Sequence, residues 1–349
     1  MAKKSLFKKR SFWFSIGILT LLIATVAGYA YNKLVNTSIT LKNENSTYFY
    51  ITDTDDYNTV LTKLTTQEIV TDEETFQFLA ARANYPNKIK TGRFTLKNGL
   101  TYIELIRLLR SGKQDEVKVV INAMITPRKL ASIASQYLAV DSITLINMLE
   151  DSVYLAKFGF TTHNKLCMFI PDTYNFYWNT DAEGFMMRMK DEYDKFWTAK
   201  RRALAKAQNL TPIEVGILAS IVDGETNKAD ETSIVAGLYL NRLKLNMMLQ
   251  ADPTVKFALR NSEKQRVYDA DLQVESPYNT YKVFGLPPGP IALPSQQAIQ
   301  AVLQPSKHNY IYMCAKEDLS GYHNFTASLS QHNLNANRYR LALDKLGIK

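Results

Sequence analysis

The sequence predicts an α+β protein with a single membrane-spanning helix at its N-terminus. Three observations lead to this fold class: a run of twenty uncharged residues near the start, alternating strand and helix patterns after it, and mainly helical patterns that end in a hairpin. The chain has 349 residues, of which 46% are hydrophobic and 21% charged, so it can bury a sizeable core in one or two domains.

The positive charge of the chain is concentrated at its start. The net charge is +9, and five basic residues lie among the first ten positions, namely Lys3, Lys4, Lys8, Lys9 and Arg10. Without them the chain is only mildly basic, so its overall charge is weak evidence for nucleic-acid binding. We therefore expect no nucleic-acid partner.

The uncharged run extends from Phe12 to Tyr31, which is long enough for a helix to cross a hydrocarbon core of roughly 30 Å. Trp13 at one end and Tyr29 at the other suit the two membrane interfaces. The small residues of "VAGYAY" also allow a cleaved signal peptide, although the run is long for one. The basic N-terminal side predicts a single-pass protein of the inner membrane with a cytoplasmic N-terminus and the remaining residues on the outer face.

The rest of the chain divides near residue 122. The predicted segments are a basic cytoplasmic tail at 1–10, a transmembrane helix at 11–31, a linker at 32–45, a small α/β module at 46–122 and a second domain at 123–349. In the module, "TYFYI", "GRFTL" and "EVKVVI" have strand patterns. Helices are predicted for "DYNTVLTKLTT", "DEETFQFLAARANY" and "TYIELIRLLRSG", the last ending at Gly112.

The second domain is predicted to be mixed and mainly helical. Residues 126–210 have helical patterns, interrupted by an aromatic loop, "FIPDTYNFYWNT". After Leu259 the chain is rich in loops, and a last hairpin, "NYIYMCAKEDLSGYHNFT", precedes a terminal helix. Cys167 and Cys314 could pair in an oxidising compartment, but isolated cysteines are more typical of small buried apolar residues. The four histidines have no close metal-binding spacing, and we expect neither a metal nor a cofactor.

One stretch, "LASIVDGETNKADE", combines an apolar helix face with a carboxylate. Leu218, Ile221 and Val222 form a stripe at i, i+3 and i+4, and Glu225 occupies i+7. A capping box with proline at the first helical position, "TPIE" from Thr211, marks the start of this helix. Glu225 is therefore expected near the C-terminal end, at the edge of the buried face.

That position predicts an unusual carboxyl group. The negative end of the helix dipole and partial burial both raise the pKa of a carboxyl, and a carboxyl that stays protonated near neutrality suits a general acid. On this pattern alone, a structural role for Glu225 is favoured, in which it pairs with Lys228 or caps the next helix.

Several long motifs in the same order carry a family resemblance. They are "LASIVDGET", "VAGLYLNRLKLNMMLQADPTVKFAL", "SPYNTYKVFGLPPGPIALPS", "YHNFTASLSQHN", "GRFTLKNGLTYIELIRLLRSGK" and the "PDTY" loop. With the basic tail and single anchor, nearly the whole chain resembles the MltG/YceG-like family of membrane-anchored endolytic murein transglycosylases. The resemblance implies that the α/β module is LysM-like and that residues 123–349 form the catalytic domain.

The resemblance also implies the catalytic residue. The family pattern V-E-x-E-T aligns its second glutamate with Glu225, which would be the catalytic acid. Its first glutamate falls on Asp223, a departure that keeps the charge on a shorter side chain. The family cleaves the bond between N-acetylmuramic acid (MurNAc) and N-acetylglucosamine (GlcNAc), with the C6 hydroxyl of the sugar replacing water, so that 1,6-anhydro-MurNAc ends form without a metal or cofactor.

Further polar residues are candidates for substrate binding. They are Gln250, Asp252, Tyr278, Asn279 and Tyr281. Asp252 precedes a proline and is also a natural N-cap for a following helix, while the two tyrosines could simply pack under a loop.

Three functions remain open at this point. The first is an endolytic lytic transglycosylase of peptidoglycan glycan strands that limits or terminates strand elongation, with penicillin-binding synthases as partners implied by the resemblance. The second is an inactive peptidoglycan-binding scaffold of the cell-wall machinery, favoured only by Asp223. The third is a hydrolase in which Asp223 or Asp252 assists Glu225.

Overall fold

The computed structural model describes residues 3–41, 44–261, 264 and 266–345, with side chains described from residue 12 onward in those ranges. About half of the chain is helical, and the described strands form three two-stranded sheets. The mixed α+β class with small sheets is thus confirmed. The predicted basic side chains Lys3, Lys4, Lys8, Lys9 and Arg10 lie outside the described side chains.

The chain divides into two compact units, Met1–Val117 with Tyr177–Asn179, and Lys118–Phe176 with Thr180–Lys349. The helices are α1 Lys3–Asn36, α2 Tyr57–Thr66, α3 Glu73–Arg82, α4 Tyr102–Ser111, α5 Pro127–Tyr137, α6 Ser142–Glu150, α7 Ser152–Ala156, α8 Ala182–Phe196, α9 Ala199–Ala207, α10 Pro212–Glu225, α11 Thr232–Lys244, α12 Asp252–Ala258, α13 Gln296–Leu303 and α14 Leu329–Lys345. The strands are β1 Ser46–Ile51, β2 Gly92–Lys97, β3 Glu116–Ile121, β4 Asp172–Tyr177, β5 Tyr312–Ala315 and β6 His323–Thr326. Short 3-10 segments span Lys165–Met168 and Asp271–Gln273.

The N-terminal helix α1 is apolar over most of its length. Within the described part of the chain it is the one helix long and apolar enough to cross a membrane, over Phe12–Asn36, with a mean hydropathy of 1.8. The helix continues past Tyr31 into the segment predicted as a linker. Its length and composition suit a membrane anchor, and they also suit a signal sequence. The predicted apolar helix is present, while its insertion and orientation stay predictions.

The first unit contains the strands and helices predicted between 46 and 111. Strands β1 and β2 pair antiparallel, with the buried Phe49 opposite the buried Phe94. A capping box of Thr101 and Glu104 starts α4, and Gly112 ends it in the left-handed region at φ 68°. These predictions are confirmed; the LysM-like assignment of the module stays a prediction.

The aromatic segment predicted as a loop contains strand β4, which pairs with β3. Tyr174 and Phe176 are buried, and the residues between and beside them are exposed. This alternation places one row of aromatic side chains in the core, as period-two patterns do in strands. The loop prediction was wrong because this alternation outweighs two turn-forming residues, Pro171 just before the strand and Asp172 at its first position.

In the second unit, α10 packs against α9, α11, α12 and α13. Near the C-terminus, β5 and β6 form an antiparallel hairpin, with Tyr312 opposite Thr326, and α14 packs on it. The predicted hairpin and terminal helix are confirmed. Cys167 is buried and Cys314 is half-buried, and both are free thiols.

Candidate active site

The start of α10 is as the sequence predicts. The Glu214 backbone N–H donates to the Thr211 hydroxyl at 3.2 Å, and the Thr211 N–H donates to the Glu214 carboxylate at 2.7 Å. Pro212 occupies the first turn, where its missing N–H costs nothing. This closed capping box determines where the helix begins, and the 14-residue helix ends at Glu225.

The predicted one-sided apolar stripe is wrong. All eight residues of Val215–Val222 are buried, because neighbouring helices surround α10. The small residues Gly216, Ala219 and Ser220 allow such close packing; a Cβ at position 216 would lie only 3.0 Å from the Cys167 Sγ. Glu225 therefore lies at the end of a central helix, where the chain leaves the core, and not at the edge of an amphipathic face.

The Glu225 carboxyl is half-buried, and the Tyr239 hydroxyl donates to its Oε1 at 2.5 Å. Burial raises the pKa of Glu225 to about 7, because the charged form loses hydration. The Tyr239 hydrogen bond opposes this rise, the nearby Asp252 carboxylate adds to it, and Lys256 opposes it weakly. The geometry thus holds a carboxyl group whose pKa is raised toward neutral pH.

Tyr239 is a residue that the sequence reasoning missed. It lies in α11, is almost fully buried, and burial raises its own pKa well above the usual value, so it acts as a hydrogen-bond donor. A tyrosine in the apolar run "VAGLYLNRL" was a usable signal, since a buried tyrosine hydroxyl normally has a partner.

The alternative in which Glu225 pairs with Lys228 is not observed. The described ion pairs contain none between these two residues, and the Lys228 Nζ lies 4.7 Å from the centroid of the Tyr322 ring. Glu225 is the last residue of α10 rather than the cap of α11, whose N-cap is Glu231.

Gly224 allows α12 to approach the end of α10. A Cβ at this position would lie 2.8 Å from the Pro253 Cβ and 3.4 Å from the Ile291 Cδ1. The first turn of α12, which contains Asp252, is therefore packed directly against the residue that precedes Glu225. A side chain at position 224 would force this turn away.

The Asp223 carboxylate is bound to the start of α13. Its carboxylate accepts the backbone N–H of Ser295 at 2.6 Å and the Ser295 hydroxyl at 2.7 Å. Ser295 is the N-cap of α13 and accepts the N–H of Ala298. Burial raises the pKa of Asp223, while the Ser295 hydrogen bonds act against that rise. Asp223 thus attaches the end of α10 to the start of α13.

Asp252 and Tyr281 lie together. The exposed Asp252 carboxylate accepts the Tyr281 hydroxyl at 2.6 Å. The prediction that Asp252 caps α12 is wrong, because Ala251 occupies the cap position and Asp252 is the first helical residue. Its side chain binds the tyrosine instead of a backbone N–H, and it keeps a favourable place at the positive end of the helix dipole.

Gln250 is exposed and bound to a buried cation that the sequence reasoning missed. The Arg242 Nη2 donates to the Gln250 Oε1 at 2.5 Å, and the same guanidinium donates to the carbonyls of Met248 and Ile311. Arg242 lies three residues after Tyr239, one turn further along α11. No acidic partner of Arg242 occurs among the described ion pairs, so its charge is satisfied by neutral acceptors.

The remaining two candidates differ in exposure. Asn279 is fully buried; its amide nitrogen donates to the carbonyls of Leu272 and Val274, and its oxygen accepts the N–H of Tyr281. Asn279 therefore stabilises the loop that carries Tyr281. Tyr278 is half-buried, with its ring 4.6 Å from that of Phe257.

A second carboxylate lies close to the catalytic candidate in sequence. The buried Glu231 accepts the backbone N–H of His323 at 2.8 Å and the His323 Nδ1 at 2.9 Å. Thr226, which follows Glu225, donates its hydroxyl to the same carboxylate at 3.4 Å. This pair connects the β5–β6 hairpin to the loop after α10. Among the described residues, no group of three or more His, Cys, Asp or Glu side chains could hold a metal ion.

The chain is similar in sequence to curated proteins that share one name. The chain is 31% identical over 290 residues to the "Endolytic murein transglycosylase" of Bacillus subtilis (strain 168), covering 78% of this chain and 79% of that protein. It is 25% identical over 271 residues to the protein of the same name from Streptococcus pneumoniae serotype 2 (strain D39), covering 69% of this chain but only 49% of that longer protein.

The fold has a relative among solved structures. The crystal structure of a yceG-like protein from Listeria monocytogenes matches with a TM-score of 0.57 and 25% identity, covering 83% of this chain and 98% of that one. A family model described as the YceG-like family matches residues 49–338, most of the chain. The chain therefore belongs to the YceG-like family.

Proposed function

We propose that this protein is an endolytic murein transglycosylase, a lyase that cleaves the MurNAc-GlcNAc β-1,4 bond inside peptidoglycan strands and leaves 1,6-anhydro-MurNAc ends. The names of the curated relatives support murein transglycosylase activity. The observation that carries the proposal for this chain is the Glu225 carboxyl, half-buried at the end of α10 with its pKa raised to about 7 and one oxygen bound by Tyr239.

Glu225 acts in two steps. In the first step, the protonated carboxyl gives its proton to the glycosidic oxygen, and the bond between that oxygen and C1 of MurNAc breaks. In the second step, the carboxylate takes the proton of the C6 hydroxyl of the same sugar, whose oxygen bonds to C1. Glu225 gives one proton in the first step and takes one back in the second. The reaction therefore needs neither water nor a second carboxylate.

Tyr239 determines which oxygen of Glu225 reacts. Its hydroxyl donates to Oε1. In the proposed reaction, Oε2 therefore carries the proton that is given to the glycosidic oxygen. The same hydrogen bond stabilises the carboxylate formed after the first step. Asp252 and Tyr281, whose side chains are bound to each other, are the proposed substrate-binding residues near this carboxyl, and Asp252 offers an exposed acceptor for sugar hydroxyls. Gln250, held by Arg242, is a further proposed substrate-binding residue.

The decisive experiment is a digest of isolated glycan strands by the wild type and by Glu225→Gln, with products identified by mass spectrometry. Gln keeps the shape and cannot transfer a proton, so the release of anhydro ends should fall about 10²–10⁴-fold. Glu214→Gln is the matched control, since it lies at the opposite end of the same helix and keeps a side-chain acceptor in the capping box.

The alternatives predict other products. Reducing ends from the wild type would indicate a hydrolase, and no cleavage by the wild type would indicate a scaffold. If Glu225→Gln cuts as fast as the wild type, the acid is not Glu225.

We also propose that α1 anchors the protein in the inner membrane, with the N-terminus in the cytoplasm and the second unit on the outer face. The apolar stretch Phe12–Asn36 and the basic residues before it support this orientation. A reporter that works only outside the cytoplasm, fused after Lys349, should be active. Activity of a cytoplasm-only reporter at the same position would reverse the orientation.

The first unit is proposed to bind glycan without performing chemistry. Tyr48 and Tyr50 are exposed on β1, the Tyr50 ring lies 4.9 Å from that of Trp178, and the Arg93 guanidinium lies 4.2 Å from the centroid of Tyr48. Exposed aromatic rings of this kind suit the apolar faces of sugars. Replacing Tyr48 and Tyr50 with Ala should weaken binding to sacculi while cleavage of soluble strands persists; Tyr137→Ala, at an exposed tyrosine of α5, is the control.

Cleavage of nascent strands would limit or terminate their elongation, and penicillin-binding synthases are the proposed partners in that process. Cells that carry Glu225→Gln should accumulate longer glycan strands, measured by chromatography of strands released with an amidase. Unchanged strand lengths would argue against this role even if the enzyme cleaves isolated strands.

A further inference from the structure

A cavity of about 820 Å³ lies in the second unit next to the proposed catalytic residue. It lies between the first two turns of α12, the loop before α13 and the segment around residue 163, and its lining includes both Gly224 and Pro253. Glu225 itself does not line it. The cavity is therefore adjacent to the cleavage site without being part of it.

The lining of this cavity is positively charged. It includes the cations Lys165, Lys256 and Arg260 beside the imidazole of His163, and it includes no Asp or Glu. Lys165 is paired with Glu150 at 2.6 Å. Lys256 and Arg260 also line the cavity, and the described ion pairs include no acidic partner for either of them. The cavity is large enough for a ligand, and these two cations favour an anionic one.

The walls also offer apolar surface. The rings of Phe257 and Tyr278 lie 4.6 Å apart and line the cavity together with Leu166 and Ile291. A ligand that fits these walls carries both carboxylates and aliphatic groups.

We propose that this cavity binds the acidic peptide attached to a MurNAc residue beside the scissile bond, with a peptide carboxylate on Arg260 and Lys256. The inference rests on the proposed function. When the lactyl group of MurNAc carries the peptide as an amide, the glycan has no charge of its own, and the anionic groups of the substrate are the carboxylates of that peptide. Arginine presents paired N–H donors that match a carboxylate. The cavity thus makes the enzyme selective for peptide-bearing strands.

The test compares two substrates that differ only in charge: native peptide-bearing strands, and the same strands whose peptide carboxylates have been converted to amides with carbodiimide and ammonium. The full-length protein in detergent should cleave the native strands with a kcat/KM about fivefold higher, as expected for a partly exposed ion pair. Arg260→Gln should lose most of this preference: it should cleave native strands more slowly than the wild type does and amidated strands at the wild-type rate. Arg340→Gln, an exposed arginine of α14 outside the cavity, should keep the preference.

Two results would overturn the proposal. Equal rates of the wild type on both substrates would mean that peptide charge is not recognised. An equal loss by Arg260→Gln on both substrates would mean that Arg260 acts on the glycan. Lys256 is left intact in this test because its charge acts on Glu225.

A binding measurement separates this proposal from the proposed function. Full-length Glu225→Gln is titrated by calorimetry with the peptide released from murein by an amidase, and with the same peptide after amidation. The proposal is supported if the acidic peptide binds to Glu225→Gln and binds more weakly to the double variant that also carries Arg260→Gln. This result does not depend on the role of Glu225 in catalysis. Absence of binding, or equal binding of the two peptides, contradicts it.

Discussion

Replacing Tyr239 with Phe should change the pH dependence of cleavage, because this hydroxyl is the one hydrogen-bond donor described on the Glu225 carboxyl. The bond stabilises the carboxylate and so lowers the pKa of Glu225, whereas burial raises it; the net pKa is about 7. Phe removes the donor and fills nearly the same volume. The carboxyl of the variant should therefore stay protonated to a higher pH.

The size of the shift follows from the hydrogen bond. A bond to a charged group contributes roughly 1.5–3 kcal/mol, and each pKa unit corresponds to about 1.4 kcal/mol. The alkaline limb of the kcat/KM profile, expected near pH 7 for the wild type, should move up by about 1–2 pH units. The sign is fixed by the role of Glu225 as an acid: turnover is lost as the carboxyl ionises.

The assay is the release of anhydro ends from isolated strands at pH values from about 5.5 to 9.5, analysed as kcat/KM, which reports the free enzyme. Tyr281→Phe is the matched control, since that hydroxyl binds Asp252 and not Glu225. Its limb should stay near the wild-type position even if its rate falls. A Tyr239→Phe limb that does not move, or that moves to lower pH, would refute the assignment of Glu225 as the acid held by Tyr239.

Three further variants test the surroundings. Gly224→Ala should lower the free energy of unfolding by about 1–3 kcal/mol in denaturant titrations, because its Cβ would lie 2.8 Å from that of Pro253. An unchanged denaturation midpoint would show that α12 can move away from the new methyl group without loss of stability. Asp223→Asn should lose one hydrogen bond to Ser295, at about 1–2 kcal/mol of stability, and keep turnover within about tenfold of the wild type; if it is inactive while Glu225→Gln still cuts, the acid has been assigned to the wrong carboxylate. Since the pKa of Glu225 is raised from 4.5 to about 7 in the folded state, wild-type stability should fall as pH rises through that window. Glu225→Gln cannot ionise and should be more stable than the wild type by about 1–3 kcal/mol at pH 8 but not at pH 4.5, and a difference independent of pH would contradict the raised pKa.

Local signals in the sequence determined several features of this protein. The capping box at Thr211 and the proline after it placed the start of α10, and Glu225 follows at the other end of that helix. The glycine at position 112 ended α4 in the left-handed conformation, and the long apolar run predicted α1. Each of these depends on hydrogen bonds or hydropathy within a few residues of the chain, so no tertiary information was needed.

The partners of the candidate residues were decided by tertiary structure. Asp223 binds Ser295, 72 residues later, and the Tyr281 hydroxyl binds Asp252 across 29 residues. Sequence spacing cannot predict such contacts, because they form only when packed helices and loops bring the groups together. From the sequence alone, Asp223 could be interpreted as a carboxylate that assists Glu225. Its contacts with Ser295 at the start of α13 favour a structural role instead.

The character of the Glu225 site also depends on packing. Its sequence position predicted a raised pKa from the helix end, but the extent of the rise comes from burial and from Tyr239 on a separate helix. The apolar pattern of α10 could not show that this helix is surrounded on all sides, since a one-sided stripe and a fully buried helix share the same apolar positions. Burial is a property of the whole fold. The sequence by itself identified Glu225 as the candidate acid, but the packing around its carboxyl determines how far the pKa is raised.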